Sequence, residues 1–591
     1  MKWNILSKTS KGTEAKMRSE EIIKILLKNR GLKTKKEIEE FLNPKNPANF
    51  TARDLGIDEK EVKKAVKRVG EAIKNGEAMV VYGDYDADGI CATAILWETL
   101  YQLTKNVLPY IPERVSEGYG LNRDSISKLK TQNPKLRLLI TVDHGITANE
   151  KIQFAKELGV DVIVCDHHQL GREKPDCTAV VHTEEVCAAA IAWFLSNKIQ
   201  ETKSGEQPIP NPQSPVTNPQ SPVTNHQSLV TSHQSPITNR LDLVAIATIA
   251  DLEPLIGVNR SFAKYGLQAL RKTKRCGLQS IFKEAGINQE EIGTYEVGFI
   301  IAPRLNAMGR MEHALESLRL LCTKDYARAD SLAAKLGLTN KERQLLTEET
   351  VKQARLLVAG IEGELPKFLV VDSDQYEEGI IGLVAGKLVE EFHRPAVVIA
   401  KGKIYSKASA RSINGFNIIE AIRMHQGLLL DAGGHPMAAG FTIETTKIEE
   451  FKKRLTQTAE EQISSELLEK TLKIDLELPM EEISLELYDK IQAITPFGLG
   501  NPEPVFCTKA IVKDFRLVGT EGKHLKLTLA AATNHQSPVT NRYPAIAFNQ
   551  GKLAEQLKID QEVEIAYTIG LNKWNNQENL DLKIKDLKIA N

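Results

Sequence analysis

The 591-residue chain lacks net charge: 77 Lys and Arg balance 77 Asp and Glu. No global field attracts a polyanion, so a nucleic-acid partner would need local basic patches. Cysteine is sparse, seven residues with no CxxC pair. This excludes a disulfide frame or a zinc ribbon and predicts reduced thiols in a cytoplasmic protein. No apolar run reaches about 18 residues, and the N-terminal MKWNILSKTSKGTEAKMRSEE has no apolar signal core, so no membrane span is predicted.

What is present is an ordinary globular composition, 42% hydrophobic and 26% charged, in a chain too long for one core. Several domains are expected. The stretch that organises them is VVYGDYDADGICATAIL, beginning at Val80. Met79–Tyr82 reads as a buried parallel strand, and an apolar helix runs from Ile90 to about Leu103. Between them lie three carboxylates, Asp84, Asp86 and Asp88, released by Gly89. Acids this close repel, and a buried strand end sharpens the repulsion. A divalent cation relieves it, and a solvated acidic turn is the alternative.

Two further apolar runs settle the matter for metal. LRLLITVDHGIT ends in Asp143, and DVIVCDHHQL ends in Asp166, His167 and His168. In an open parallel sheet, sites form at the carboxyl ends of strands. A fourth run, LDLVAIATIADLEPL, ends in Asp251.

Residues 1–75 read as an accessory arm of short amphipathic helices. One opens at Thr34 and stops near Pro44, and another closes at Gly76. In PYIPERVSEGYGLN, Arg114 and Tyr119 could grip a phosphate and stack a base, or be ordinary loop residues. APRLNAMGRM offers Arg304, Asn306 and Arg310 as phosphate clamps. The stretch 259–359, with the basic run Arg271–Arg275, reads as a helical connector. Lys407–Asn417 and Asp431–Phe441 are rich in small residues and would present Ser409, Arg411 and His435. Beyond about Leu472, short alternating strands suit an OB-type barrel, with Lys523, His524 and Lys526 on one strand. Phe497 and Trp574 could stack bases there or fill the barrel.

Residues 196–239 differ. NPQSPVT, NPQSPVT, NHQSLVT and SHQSPIT stand in tandem over Asn211–Thr238, and NHQSPVT recurs at Asn534–Thr540. This composition has no apolar face and cannot bury a core. An inserted repeat in tolerant surface loops is predicted, and deleting Asn211–Thr238 is expected to leave activity intact.

Together, GDYDADG, TVDHGIT, VCDHHQ and ATIADLEPL resemble the DHH phosphoesterase superfamily. PRLNAMGR, SARSINGF, GGHPMAAG and PFGLGNPEPVF narrow the resemblance to the RecJ family of single-strand-specific 5′→3′ exonucleases. It covers most of the chain from about Val80 onward. It implies an α/β architecture: a DHH-type parallel-sheet domain (76–258), a helical connector (259–359), a second α/β DHH-associated domain (360–465) and a C-terminal OB-type barrel (470–591, with a repeat at 531–542).

The resemblance also implies residue roles. Asp86, Asp88, Asp143, His167 and Asp251 would ligate two divalent cations, Mn²⁺ or Mg²⁺, with Asp143 bridging them and Asp84 and His168 in support. Arg114 and Tyr119 would contact the strand; Arg304, Ser409 and Arg411 would hold a 5′ phosphate. The implied reaction converts single-stranded DNA to 5′-mononucleotides in repair and recombination. Single-strand-binding protein and a repair helicase are implied partners, and a monomer is expected. His144 and Glu377 depart from the family pattern. Two rival readings are a DHH phosphodiesterase for short oligonucleotides or cyclic dinucleotides, and a non-catalytic strand-binding scaffold.

Overall fold

The computed structural model describes residues 1–8, 18–114, 116–171, 173–203, 240–361, 363–532, 542–574 and 577–589. The repeats at 211–238 and 534–540, and the side chain of Trp574, lie outside the described residues. The chain divides into two compact units.

The larger unit spans Pro44–Ile463 with Gly498–Gly500. Its first sheet is five-stranded and wholly parallel, in the order Val107–Tyr110, Ala78–Tyr82, Leu136–Val142, Asp161–Asp166, Ala179–His182. Strand Ala78–Tyr82 is buried along its whole length, as strands covered on both faces are. Chain order reverses beside this strand, the place where an open parallel sheet opens a crevice at its carboxyl edge. The helix Ala87–Leu103 starts earlier than Ile90, because Asp86 caps it.

The stretch 259–359 is not all connector. Helices Gly257–Leu270, Cys276–Ala285, Ala302–Met311 and Leu315–Cys322 contribute to the core of the first sheet. Only the 34-residue helix Tyr326–Ala359 leads onward, about 50 Å at 1.5 Å per residue. Of the basic residues in this run only Arg275 turns inward, against Glu98; Arg271, Lys272 and Lys274 are exposed, and Arg271 donates to the Ile292 carbonyl. Likewise Ser196–Lys203 is not insert but the end of helix Ala188–Lys203.

The second sheet of this unit runs Leu429–His435, Ala438–Glu444, Tyr405–Arg411, Ala396–Ala400, Leu369–Ser373. Only its last pair is parallel.

The smaller unit comprises Met1–Asn43, Ser464–Phe497 and Asn501–Asn591. Five strands close a barrel: Phe506–Val518, His524–Ala531, Arg542–Ala547, Gln577–Ile589 and Glu562–Trp574, which pairs back onto the first. The N-terminal arm is therefore not one element. Lys2–Ile5 forms a parallel strand with Thr471–Ile474, and Ile22, Leu26, Leu27 and Phe41 join the barrel core. Thr34 caps Lys35–Leu42 in a reciprocal box with Glu37. Helix Glu59–Lys74 instead belongs to the larger unit and ends at Asn75–Gly76, where Gly76 has φ 64°. Phe497 packs against the barrel core.

Candidate metal centre and anion pocket

The acidic turn is fixed by backbone amides. Asp86 Oδ1 accepts from the N–H groups of Asp88 (3.0 Å) and Gly89 (3.1 Å). The two oxygens of Asp88 accept from Ala188 (2.7 Å) and Ala189 (2.8 Å). Asp88 thus holds the N-terminus of helix Ala188–Lys203, where the helix dipole favours an anion. Asp84 is buried, and its Oδ1 has no hydrogen-bond partner among the described residues. A Cβ on Gly89 would stand 2.7 Å from the Asp84 carbonyl oxygen, so only glycine lets the turn close this tightly.

Asp143 follows its strand in a left-handed conformation, φ 68°. Such strain costs about 1–3 kcal/mol and collects at functional sites. Asp166 was not singled out among the site residues, yet it sets both histidines. Its Oδ1 receives the N–H groups of His167 (2.8 Å) and His168 (3.2 Å) and lies 2.8 Å from His168 Nδ1. Its Oδ2 takes the N–H of Ile146. Burial would raise its pKa, but His168 and these amides pull it down to about 2. Helix Leu241–Ala250 delivers Asp251 as its C-cap.

The cluster converges on His167. Its Nε2 lies 3.2 Å from Asp143, 3.6 Å from Asp251 and 3.8 Å from Asp88. Three sets have ligand-capable atoms within 4.8 Å of one another: Asp84, Asp86 and Asp143; Asp88, His167 and Asp251; Asp143, His167 and His168. Asp143 and His167 each belong to two sets, so the sets form one continuous site.

The donor chemistry fits divalent cations. Burial pushes the carboxyl groups of Asp84 and Asp143 well above their usual range, with neighbouring acids adding to it. Burial lifts Asp88 to about 6, and burial with the charge of Asp88 lifts Asp251 to about 8. Burial opposes protonation of His167, but Asp143 and Glu253 outweigh it and raise it to about 12. A buried site so short of positive charge, rich in oxygen with one or two imidazoles, suits Mn²⁺ or Mg²⁺ better than zinc.

Beside it opens a cavity of about 370 Å³, walled by Asp86, Arg114, Tyr119, Asn306, Arg310, Glu378, Lys407, Ser409 and Arg411. Burial and the charges of Arg114, Arg343 and Arg411 pull Arg310 down to about 10. Cations gathered this way call for an anion. Helix Ala302–Met311 reaches the acidic turn because a Cβ on Gly309 would sit 2.3 Å from the Tyr85 carbonyl oxygen. Asn306 Oδ1 accepts the Ala87 N–H at 2.7 Å, so its oxygen braces the turn. Arg114 lies over the Tyr85 ring, 5.1 Å from its centroid.

Arg304 does not line this pocket. It pairs with Glu284 at 2.7 Å and donates to the Ile300 carbonyl. Two residues before Asn306, it falls on another side of the helix. His435 stands outside the pocket too, stacked on His168 at 6.1 Å. His144 packs: it is buried, edge-on to Tyr82, with Nε2 3.1 Å from the Tyr82 carbonyl. Burial lowers its pKa to about 4. Glu377 is exposed, while its neighbour Glu378 lines the pocket. Sequence reasoning missed Glu253, Glu378 and Lys407; for Glu253, an acid two residues past Asp251 was the available signal.

The chain matches family models for the DHH family N-terminal domain over residues 78–214, the DHHA1 domain over 365–461 and the RecJ OB domain over 474–586. It is 34% identical over 581 residues to the single-stranded-DNA-specific exonuclease RecJ of Bacillus subtilis, covering 96% of this chain and 68% of that one. The crystal structure of Thermus thermophilus RecJ with Mn²⁺ superposes with a TM-score of 0.78 at 28% identity, covering 100% of this chain and 80% of the other. The same protein with Mg²⁺ gives 0.72 at 26% identity, covering 100% and 79%. With these likenesses running through the parallel sheet, the second sheet and the barrel, the chain belongs to the RecJ family.

Proposed function

We propose that this chain is a metal-dependent 5′→3′ exonuclease that degrades single-stranded DNA to 5′-mononucleotides in repair and recombination. One observation carries the reading: the cation-competent cluster and the arginine pocket share a wall at Asp86. A terminal phosphate seated on Arg310, Arg411 and Ser409 would set the next phosphodiester beside the acidic cluster. Polarity then follows from geometry, since a terminal phosphate offers these side chains an end free of further chain, whereas an internal phosphate has a chain on both sides.

Asp86, Asp88, Asp143, His167 and Asp251 would hold two cations, with Asp84 in support. When bound, such ions activate water and stabilise charge on the phosphate and the leaving oxygen. The chain's own residues do the rest. Asp166 fixes the rings of His167 and His168. His168 keeps Nε2 free of Asp166 and 3.3 Å from the Tyr119 hydroxyl, so it can hand a proton toward a leaving 3′ oxygen. Arg114 and Tyr119 would grip the strand between pocket and acids.

Among the described residues, no helix is long and apolar enough to cross a membrane. A cytoplasmic monomer working with single-strand-binding protein and a repair helicase completes the proposal. The test is digestion of 5′-labelled and 3′-labelled single strands with Mn²⁺. The 5′ label should appear at once as mononucleotide, while the 3′ label shortens progressively and duplex resists. Release of the 3′ label first would overturn the polarity, and inertness in Mn²⁺ would overturn the activity.

A further inference from the structure

Two aromatic rings outside the pocket are held open to solvent. Tyr295 is 62% exposed and Phe299 70% exposed, and the rings stack on each other at 5.1 Å with an interplanar angle of 27°. Leaving large rings exposed forgoes burial of apolar area, at about 25 cal/mol per Å². Phe299 stands in a π-helical turn, Glu296–Ile301, with Tyr295 as its N-cap, an irregularity that recurs at functional sites.

Two connections tie the pair to elements that carry the site. The π turn continues directly into Ala302–Met311, which carries Asn306 and Arg310 into the pocket. At 1.5 Å per residue, Phe299 lies about 10 Å along the axis from Asn306. Gly298 also packs on Ile249, its Cβ position 3.8 Å from Ile249 Cγ2. Ile249 is two residues before Asp251. Leu252, next along the chain, is 70% exposed with φ 59°, a left-handed conformation rare for leucine. The chain beyond Asp251 thus presents an apolar side chain, and the turn packed on its helix presents two aromatic ones.

The pocket for the 5′ phosphate lies on the Asp86 side of the acidic cluster, and Asp251 is not part of its wall. A strand threaded past the cations therefore leaves on the Asp251 side. We propose that Tyr295 and Phe299 form a base-stacking platform for the nucleotides 3′ of the scissile bond, with Leu252 as its apolar floor. This rests on the exonuclease reading and names how that site holds its strand. Every base has a face to stack, so the platform adds affinity without sequence preference. About 10 Å corresponds to roughly three stacked nucleotides at about 3.4 Å each, so only strands longer than that reach it.

The test compares wild type with a Tyr295→Ala/Phe299→Ala double variant in Mn²⁺ on two substrates. One is a 5′-phosphorylated thymidine dinucleotide; the other is a 5′-phosphorylated oligothymidylate of about 20 nucleotides, long enough to stack. The variant should show KM for the long strand raised at least about tenfold, as loss of stacking predicts. Its kcat, and its turnover of the dinucleotide, should be unchanged. Tyr295→Phe/Phe299→Trp should keep the wild-type KM. An unchanged long-strand KM overturns the platform, and so does an equal loss on the dinucleotide. As a second readout, 2-aminopurine placed four nucleotides from the 5′ end, about one step past the estimated reach, is bound in chelator, where cleavage stops. Its fluorescence should be quenched by wild type and not by the double variant; equal quenching overturns the proposal. If wild type cuts neither substrate, the exonuclease reading fails, and the quenching still decides the platform.

Discussion

Glu253 Oε1 stands 3.5 Å from Nδ1 of His167, on the ring nitrogen opposite the one that faces Asp143. Asn259 Nδ2 steadies the other carboxylate oxygen at 3.3 Å and also reaches the Glu185 carbonyl. A carboxylate behind a ligating imidazole fixes its tautomer and strengthens it as a donor. Glu253→Gln keeps the shape and removes the charge. Mn²⁺ affinity, followed by the loss of the free-ion paramagnetic resonance signal, should fall about 10–100-fold. Unchanged affinity would show that Glu253 only fills space.

Asp84 is buried beside Asp86 with an oxygen unpartnered among the described residues. In the metal-free protein that carboxyl is a liability. Asp84→Asn should stabilise the metal-free form by about 1 kcal/mol, the size of gain usual when a functional strain is removed. Activity should drop, and added Mn²⁺ should raise Tm less than in wild type. Calorimetry with and without Mn²⁺ checks both; a destabilised metal-free variant would contradict the reading of Asp84 as an uncompensated acid.

Arg411 is half-buried, and its desolvation lowers its pKa below the usual guanidinium range. Its Nη1 donates to the Ala410 carbonyl, and the side chain lines the pocket with Arg310. A charge-assisted bond to phosphate is worth about 1.5–3 kcal/mol. Arg411→Ala should therefore lower kcat/KM on 5′-phosphorylated strands by about 10–150-fold. On strands ending in a 5′ hydroxyl it should change little. An equal loss on both ends would mean that Arg411 holds the fold and not the terminus.

These residues divide by how local their signals are. Asp86, Asp143 and His167 were legible because each follows an apolar run, and a parallel sheet brings such ends to one edge. Asp251 came by the same pattern, though its run is a helix. Arg304 falls outside the cavity because the composition of PRLNAMGR does not show which residues face it; of its polar residues, Asn306 and Arg310, four apart, do. The inward turn of Arg275, at the end of the basic run, was not legible because its acids, Glu98 and Asp242, lie far away in sequence. The pairing of Lys2–Ile5 with Thr471–Ile474 was invisible for the same reason: no local pattern encodes a partner that remote.

That buried network yields the last prediction. Arg275 holds Glu98 through two bonds, Nη1 to Oε1 at 2.6 Å and Nη2 to Oε2 at 3.1 Å, and Arg240 Nε lies 3.5 Å away. Asp242 lies 3.8 Å from Arg275 Nε and accepts from Thr273. Burial alone would raise the pKa of Glu98, but the charges of Arg275 and Arg240 hold it below the usual value. Removing one partner of a buried pair costs about 3–5 kcal/mol, because the other charge stays buried. Glu98→Gln should destabilise the larger unit by that order near neutral pH. The sign of the pH dependence follows. A folded pKa below the unfolded one, about 4.3, gives stability that is present above pH 4.3 and lost as pH falls through the folded value. Denaturation free energies of wild type and variant should thus stand furthest apart near pH 7 and approach each other in acid. A gap that stays constant down through the carboxylate range would mean that Glu98 contributes packing and hydrogen bonds but no charge.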